Sequence, residues 1–203
     1  MYNMVFSAID FAAHAHTGQF RCDKAKSPFV NHLLSVLNIL SNEGNVVNSS
    51  ILTASVLHDY LEDCCGKKNQ ISIKEGCDRL FKNFGPTVTE LVMEVTDEPG
   101  LTKEKRREKQ IMKIPHLSYG AKIIKLGDKL SNLRDILINP PNWSEEACKQ
   151  YIIFSTKVVE QINGNNIVLE SKLKNVITDL NKIYNITNQH LAEEIKEKKQ
   201  IQL

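Results

Sequence analysis

Apolar residues recur at intervals of three and four from one end of the chain to the other. Leu126, Leu130, Leu133 and Leu137 line one side of a segment spanning 122–138. Leu169, Leu173, Val176, Ile177, Leu180, Ile183 and Tyr184 repeat the pattern near the C-terminus. This is the period of an amphipathic helix, and no stretch shows the alternation of a half-buried strand. The expectation is an all-α helical bundle with a C-terminal helical extension.

Punctuation divides the chain into successive helices. Val5 to Ala13 forms the first, ending near Gly18. Pro28 opens a second that carries Leu33, Val36, Leu37 and Leu40. Ile51–Glu62 reads as one apolar helix. Ile73–Phe84 is closed by Gly85, and Pro86 opens the next at a position where its missing N–H costs nothing. Pro115 and the pair Pro140-Pro141 end two more, and Ser144 with Glu145 and Glu146 has the character of a helix N-terminus. Trp143 is expected as a core anchor, and the Cys64-Cys65 pair as ordinary helix-end residues.

Charge excludes some functions. Lys and Arg number 26 against 24 Asp and Glu, a net of +2 that is too small for a dedicated nucleic-acid binder. No apolar run approaches the ~18 residues of a membrane helix, and Met1 to Asp10 lacks the basic start of a signal peptide. Five cysteines, with no CxxC pair, suggest a reduced, cytoplasmic chain without a structural zinc site. Residues 103–113 hold six basic and two acidic side chains, either a solvated helix face or the rim of an anion site.

The segment His58-Asp59-Tyr60-Leu61-Glu62-Asp63 crowds ionisable groups at the exit of an apolar helix. On a continuous helix His58 and Glu62 share one stripe, and Asp59 and Asp63 the next. Burying carboxylates beside imidazole is costly without a cation, and this mixture of donors suits a divalent ion of the Mn, Fe or Zn type. Asp128, within an apolar helix, also needs a partner, and His32 lies early in the second helix.

His16-Thr17-Gly18-Gln19-Phe20-Arg21, Pro28-Phe29-Val30-Asn31-His32, Leu57 to Asp63, Phe84-Gly85, Val95-Thr96-Asp97 and Lys125 to Leu133 occur in the order seen in the hydrolase domain of RelA/SpoT homologues. The chain resembles that HD-domain family, and most closely its hydrolase-only metazoan SpoT-like members and small alarmone hydrolases. The resemblance covers residues 1–176 and implies a hydrolase domain there, with 177–203 as a helical tail. No length remains for the family's synthetase domain.

The resemblance implies a manganese-dependent enzyme that removes the 3′-pyrophosphate of ppGpp or pppGpp, giving GDP or GTP. It places the metal ligands on His32, His58, Asp59 and Asp128, and the acid–base pair on Glu62 and Asp63. Substrate contacts fall on Arg21, which stacks on guanine, and on Ser27, Asn132 and Tyr151. A nucleotide is the implied partner, and a homodimer is possible. The chain departs from the family at Cys22, Pro99 and Ala147, where relatives carry basic residues, with Lys103, Lys105, Arg106 or Lys109 available as replacements. These departures leave two alternatives: an HD-domain phosphatase of other nucleotides or NADPH, and a non-catalytic metal- or nucleotide-binding domain.

Overall fold

The computed structural model describes residues 2–66 and 71–187. They form helices α1 (Tyr2–Ala15), α2 (Val30–Asn38), α3 (Ser49–Leu57), α4 (Tyr60–Asp63), α5 (Ile73–Val95), α6 (Lys103–Lys113), α7 (Tyr119–Ile138), α8 (Glu145–Gln161) and α9 (Ile167–Ile183). A single π turn, Ile39–Glu43, continues α2. There is no strand among the described residues, and none of their helices is long and apolar enough to cross a membrane.

α7 is the axis. It begins three residues before the leucine pattern predicts, because the Ser118 hydroxyl caps it by accepting the Ala121 N–H at 3.2 Å. α2, α3, α5, α8 and α9 all pack against it. Leu126, Leu130 and Leu133 are fully buried, and truncating one to alanine would cost about 2–5 kcal/mol. Gly127 faces Val36 of α2 and Leu40 of the π turn. A Cβ there would lie 2.7 Å from Leu40 Cδ2 and 3.2 Å from Val36 Cγ1, so a larger residue would have to push the Leu40 side chain aside. That close packing sets Asp128 beside His32.

α3 is buried on every side from Ile51 to Leu57, as its unbroken apolar sequence requires. Asn48 caps it, accepting from the N–H groups of Ser50 and Ile51. The helix does not run on to Glu62. It stops at Leu57, and Asp59 lies at φ −95°, ψ −2°, a sparsely populated backbone region frequent in active sites. α5 breaks where the sequence places the break, at Gly85, whose φ of 79° suits glycine.

The C-terminal stripe packs on the body. Leu169, Leu173, Ile177 and Leu180 are buried, and α9 lies against α7 and α8. The buried Glu170 carboxylate accepts from the N–H groups of Gly164, Asn165 and Asn166, at 3.1, 2.8 and 2.9 Å, and locks the start of α9. α9 runs through residue 176 without interruption. Residues 188–203 of the expected helical tail lie outside the described residues.

Candidate active site

Three helices deliver the four expected metal ligands to one point. His32 comes from the first turn of α2, His58 and Asp59 from the break after α3, and Asp128 from the middle of α7. Ligand atoms of His32, His58 and Asp59 lie within 4.8 Å of one another. Asp128 Oδ1 is 3.4 Å from His32 Nε2 and 3.8 Å from His58 Nε2. Asp59 Oδ2 is 3.7 and 3.2 Å from the same two nitrogens.

Both imidazoles are oriented from behind. His58 Nδ1 donates to the Ser55 carbonyl at 2.8 Å, which fixes the proton there and leaves Nε2 a lone pair. His32 Nδ1 donates to Ser131 Oγ at 3.1 Å, and that hydroxyl donates onward to Ser35. In the neutral rings both Nε2 atoms therefore face the carboxylates as acceptors. His58 Nε2 is buried and has no hydrogen-bond partner. An orphaned nitrogen deep in a protein is costly unless something binds it.

Electrostatics point to a positive ligand. Burial alone would lower the His58 pKa, but Asp59 and Asp128 outweigh it and raise it to about 10. Burial opposes ionisation of Asp59, yet the His58 and His32 imidazoles hold it down at about 2. Two acids drawing a proton onto a buried imidazole mark a place for a cation. Two imidazole nitrogens and two carboxylates are a donor set for a divalent metal ion, and they fit one here.

Asp128 has a further partner that sequence reading missed. Lys129 is buried, with Nζ 3.2 Å from Asp128 Oδ2 and 5.1 and 5.6 Å from the ring centres of Phe154 and Tyr151. The surrounding Lys125-Leu126-Gly127-Asp128-Lys129-Leu130 holds a second lysine and gives no signal that singles this one out.

Glu62 and Asp63 stand beside the cluster on α4. The Glu62 carboxyl accepts the Asp97 N–H at 2.6 Å. Loss of surrounding water, and then the Asp97 carboxylate, push its pKa up to about 7. Burial, and then Asp59, push Asp63 up to about 6. Gln19 fixes this turn from outside. Its Nε2 donates to the Asp63 carbonyl at 3.1 Å, while its Oε1 accepts from His16 Nδ1 at 2.7 Å. His16 is buried and stacked on Phe29 at 4.9 Å, a packed histidine as expected. Cys64 is also buried, and burial pushes its thiol up to about 12.

A cavity of about 250 Å³ opens next to the cluster, lined by Arg21, Phe29, Asn132, Asp135, Trp143 and Tyr151 among others. Arg21 Nη2 donates to Asn132 Oδ1 at 2.6 Å and to Asp135 Oδ2 at 2.8 Å, and its guanidinium lies 5.8 Å from the Phe29 ring centre. Asn132 Nδ2 donates to Asp128 Oδ1 at 2.5 Å, so the arginine and the ligand cluster share one amide. Ser27 does not line this cavity. Its hydroxyl donates to Asp23 at 2.6 Å and its carbonyl accepts the Arg21 N–H at 2.8 Å, closing the loop that carries Arg21. Trp143 is not the core anchor expected of it. It is 43% exposed and meets Tyr151 edge-on at 5.8 Å, because Pro140-Pro141 carry it past the end of α7 to the cavity wall. A larger cavity, about 840 Å³, lies between α1 and α5; none of the four ligands lines either cavity, and the smaller one is joined to them through Asn132.

The HD domain family matches residues 8–152, most of the chain. The guanosine-3′,5′-bis(diphosphate) 3′-pyrophosphohydrolase MESH1 of Xenopus tropicalis is 38% identical over 177 residues, which cover 87% of this chain and 94% of that protein. The chain belongs to the HD-domain family, in its MESH1 branch. The MESH1 hydrolase of Homo sapiens is 37% identical to this HD-domain chain over 85% of its length and 92% of the human protein. A solved structure of a metazoan SpoT orthologue that hydrolyses ppGpp superposes on it with a TM-score of 0.79, at 38% identity, covering 87% of this chain and 94% of the other.

Proposed function

We propose that this HD-domain protein is a metal-dependent hydrolase that removes the 3′-pyrophosphate of guanosine 3′,5′-bis(diphosphate), with manganese as its ion and residues 1–176 as the hydrolase unit. The observation that carries this reading is the His58 nitrogen, buried without a partner among Asp59, Asp128 and His32 and beside two acids of raised pKa. The MESH1 relatives bear this activity in their names.

His32, His58, Asp59 and Asp128 would hold the ion. When bound, it polarises a phosphoryl oxygen and lowers the pKa of water. Water adds to the pyrophosphate and the nucleoside 3′-oxygen leaves, so ppGpp gives GDP and pyrophosphate, and pppGpp gives GTP and pyrophosphate. Glu62 and Asp63 move the protons. With pKa values of about 7 and 6 they exchange a proton near neutral pH, one accepting it from water while the other supplies the leaving oxygen. Arg21 offers a planar guanidinium to the guanine, held flat by Asn132 and Asp135. Tyr151 lines the same cavity. Asn132 links the base pocket to Asp128. Ser27 keeps the Arg21 loop closed.

The test is direct. Purified protein with Mn²⁺ and ppGpp is expected to release pyrophosphate and GDP in equal amounts. Metal-loaded protein that releases no pyrophosphate overturns the proposal.

A further inference from the structure

Among the described residues two buried imidazole nitrogens lack a hydrogen-bond partner: His58 Nε2, in the ligand cluster, and His16 Nε2. The His16 residue is 3% exposed, and the proton transfers assigned to Glu62 and Asp63 leave it without a role.

Its surroundings fix its place. One face stacks on Phe29, at 4.9 Å and 11° from parallel, and the same Phe29 ring meets His32 at 5.9 Å. Along its Nδ1 edge lie Gln19 Oε1 at 2.7 Å and Cys64 Sγ at 3.5 Å. The ring is thus held between Phe29 and the residue that follows α4, the helix of Glu62 and Asp63. Gln19 also decides which nitrogen carries the proton. Its Nε2 donates to the Asp63 carbonyl at 3.1 Å, which leaves its Oε1 for His16. An amide oxygen only accepts, so His16 Nδ1 donates and Nε2 keeps its lone pair. The Cys64 thiol donates to the Ala15 carbonyl and does not compete.

Burial holds this imidazole below the usual histidine range, so it is neutral near pH 7. The charged side chains whose fields reach it are Asp59, His58 and His32, three of the four expected ligands. A fixed, neutral acceptor therefore sits beside the cluster with no donor in the chain to satisfy it. A water that attacks phosphorus has two hydrogens. One goes to a carboxylate, and the other needs an acceptor of its own if the water's lone pair is to stay aimed. A neutral, weakly basic nitrogen holds that hydrogen without taking it and does not repel a phosphate.

We infer that His16 is a catalytic residue: its Nε2 accepts a hydrogen bond from the attacking water and aims that water at the 3′-pyrophosphate. The inference rests on the hydrolase reading above. His16 takes no proton; the one lost by water goes to the carboxylate pair, and the imidazole stays neutral throughout.

Asparagine and glutamine separate the two ring nitrogens, because the Asn amide falls near Nδ1 and the Gln amide near Nε2. With Mn²⁺ and ppGpp, His16→Asn is expected to lower kcat about tenfold or more, while KM changes less than about twofold and metal content stays at the wild-type level. His16→Gln should keep several-fold more of kcat than His16→Asn, even if both lower Tm alike. Proton–nitrogen NMR correlation spectra of the full wild-type chain read the tautomer without turnover: Nδ1 protonated and Nε2 bare is the expected result, and a protonated Nε2 overturns the role. Wild-type kcat in His16→Asn, or an equal loss in both variants, also overturns it. Loss of the metal in His16→Asn would make His16 a ligand and overturn it too. A metal-loaded wild type that releases no pyrophosphate removes the hydrolase reading and the role with it; an active wild type with an equally active His16→Asn removes the role alone.

Discussion

α7 carries two charged clusters, and they are satisfied in different ways. Near its C-terminal end Arg134 donates Nη1 and Nη2 to the two oxygens of Glu43, at 2.6 and 2.9 Å, and Lys172 reaches the same carboxylate at 3.0 Å. Both cations there share one acceptor carboxylate within the chain. The Arg134 hydrogen bonds, against the opposing effect of burial, take the Glu43 pKa from 4.5 to about 2. Around Asp128 the chain leaves a buried nitrogen without a partner and draws a proton onto His58. The first cluster ties the π turn, α7 and α9 together and asks for nothing from outside. The second is complete only with a cation. Charge balance, more than burial or residue type, separates a structural ion cluster from a ligand site.

The largest effect expected at the second cluster comes from its flanking acids. Glu62→Gln or Asp63→Asn should lower kcat at least about a hundredfold while metal content stays at the wild-type level. Full turnover in either variant would show that the acids play no part in proton transfer. The pH profile adds a sign. A proton acceptor must be ionised and a donor protonated, so with Asp63 accepting and Glu62 donating the wild-type rate should rise as pH passes upward through about 6 and fall above about 7, and Glu62→Gln should remove the falling limb.

At the first cluster the change should appear in stability and leave catalysis alone. Arg134→Ala leaves Glu43 with Lys172 alone and should cost about 1–2 kcal/mol, read as a lower Tm, with kcat unaltered. The folded pKa of Glu43 is depressed, so its contribution is present above 4.5 and is lost as pH falls toward 2. The variant should therefore lose part of the acid sensitivity of the wild type over that range. A kcat loss as large as that of Glu62→Gln would erase the contrast between the two clusters.

The smallest effect expected is at Gln19→Ala, which removes the bond to the Asp63 carbonyl. A fall of about tenfold in kcat with KM unchanged would mark it as a positioning residue. An equal change in both would mean that the loop as a whole had moved.

Much of this was legible before the structure. The apolar period placed the helices because each buries one stripe against α7, and Gly85 and Ser144 marked boundaries through local backbone chemistry. The four ligands converge because the motifs that carry them sit on helices that pack on one another. What stayed hidden depends on contacts across the chain. The break at Asp59 interrupts a sequence with helical character throughout. The bond between Glu43 and Arg134 joins residues 91 positions apart. Trp143 reaches the cavity wall only through the path of the chain after α7. Lys129 is masked in sequence by its resemblance to any surface lysine.

The central claim is that Asp128 and its neighbours hold a cation and Arg134 does not. The most direct measurement is the metal content of dialysed, Mn²⁺-treated protein, compared for wild type, Asp128→Ala and Arg134→Ala. The account predicts one ion per chain in the wild type, one in Arg134→Ala and none in Asp128→Ala. A wild type without metal, or Asp128→Ala with as much as the wild type, would contradict it.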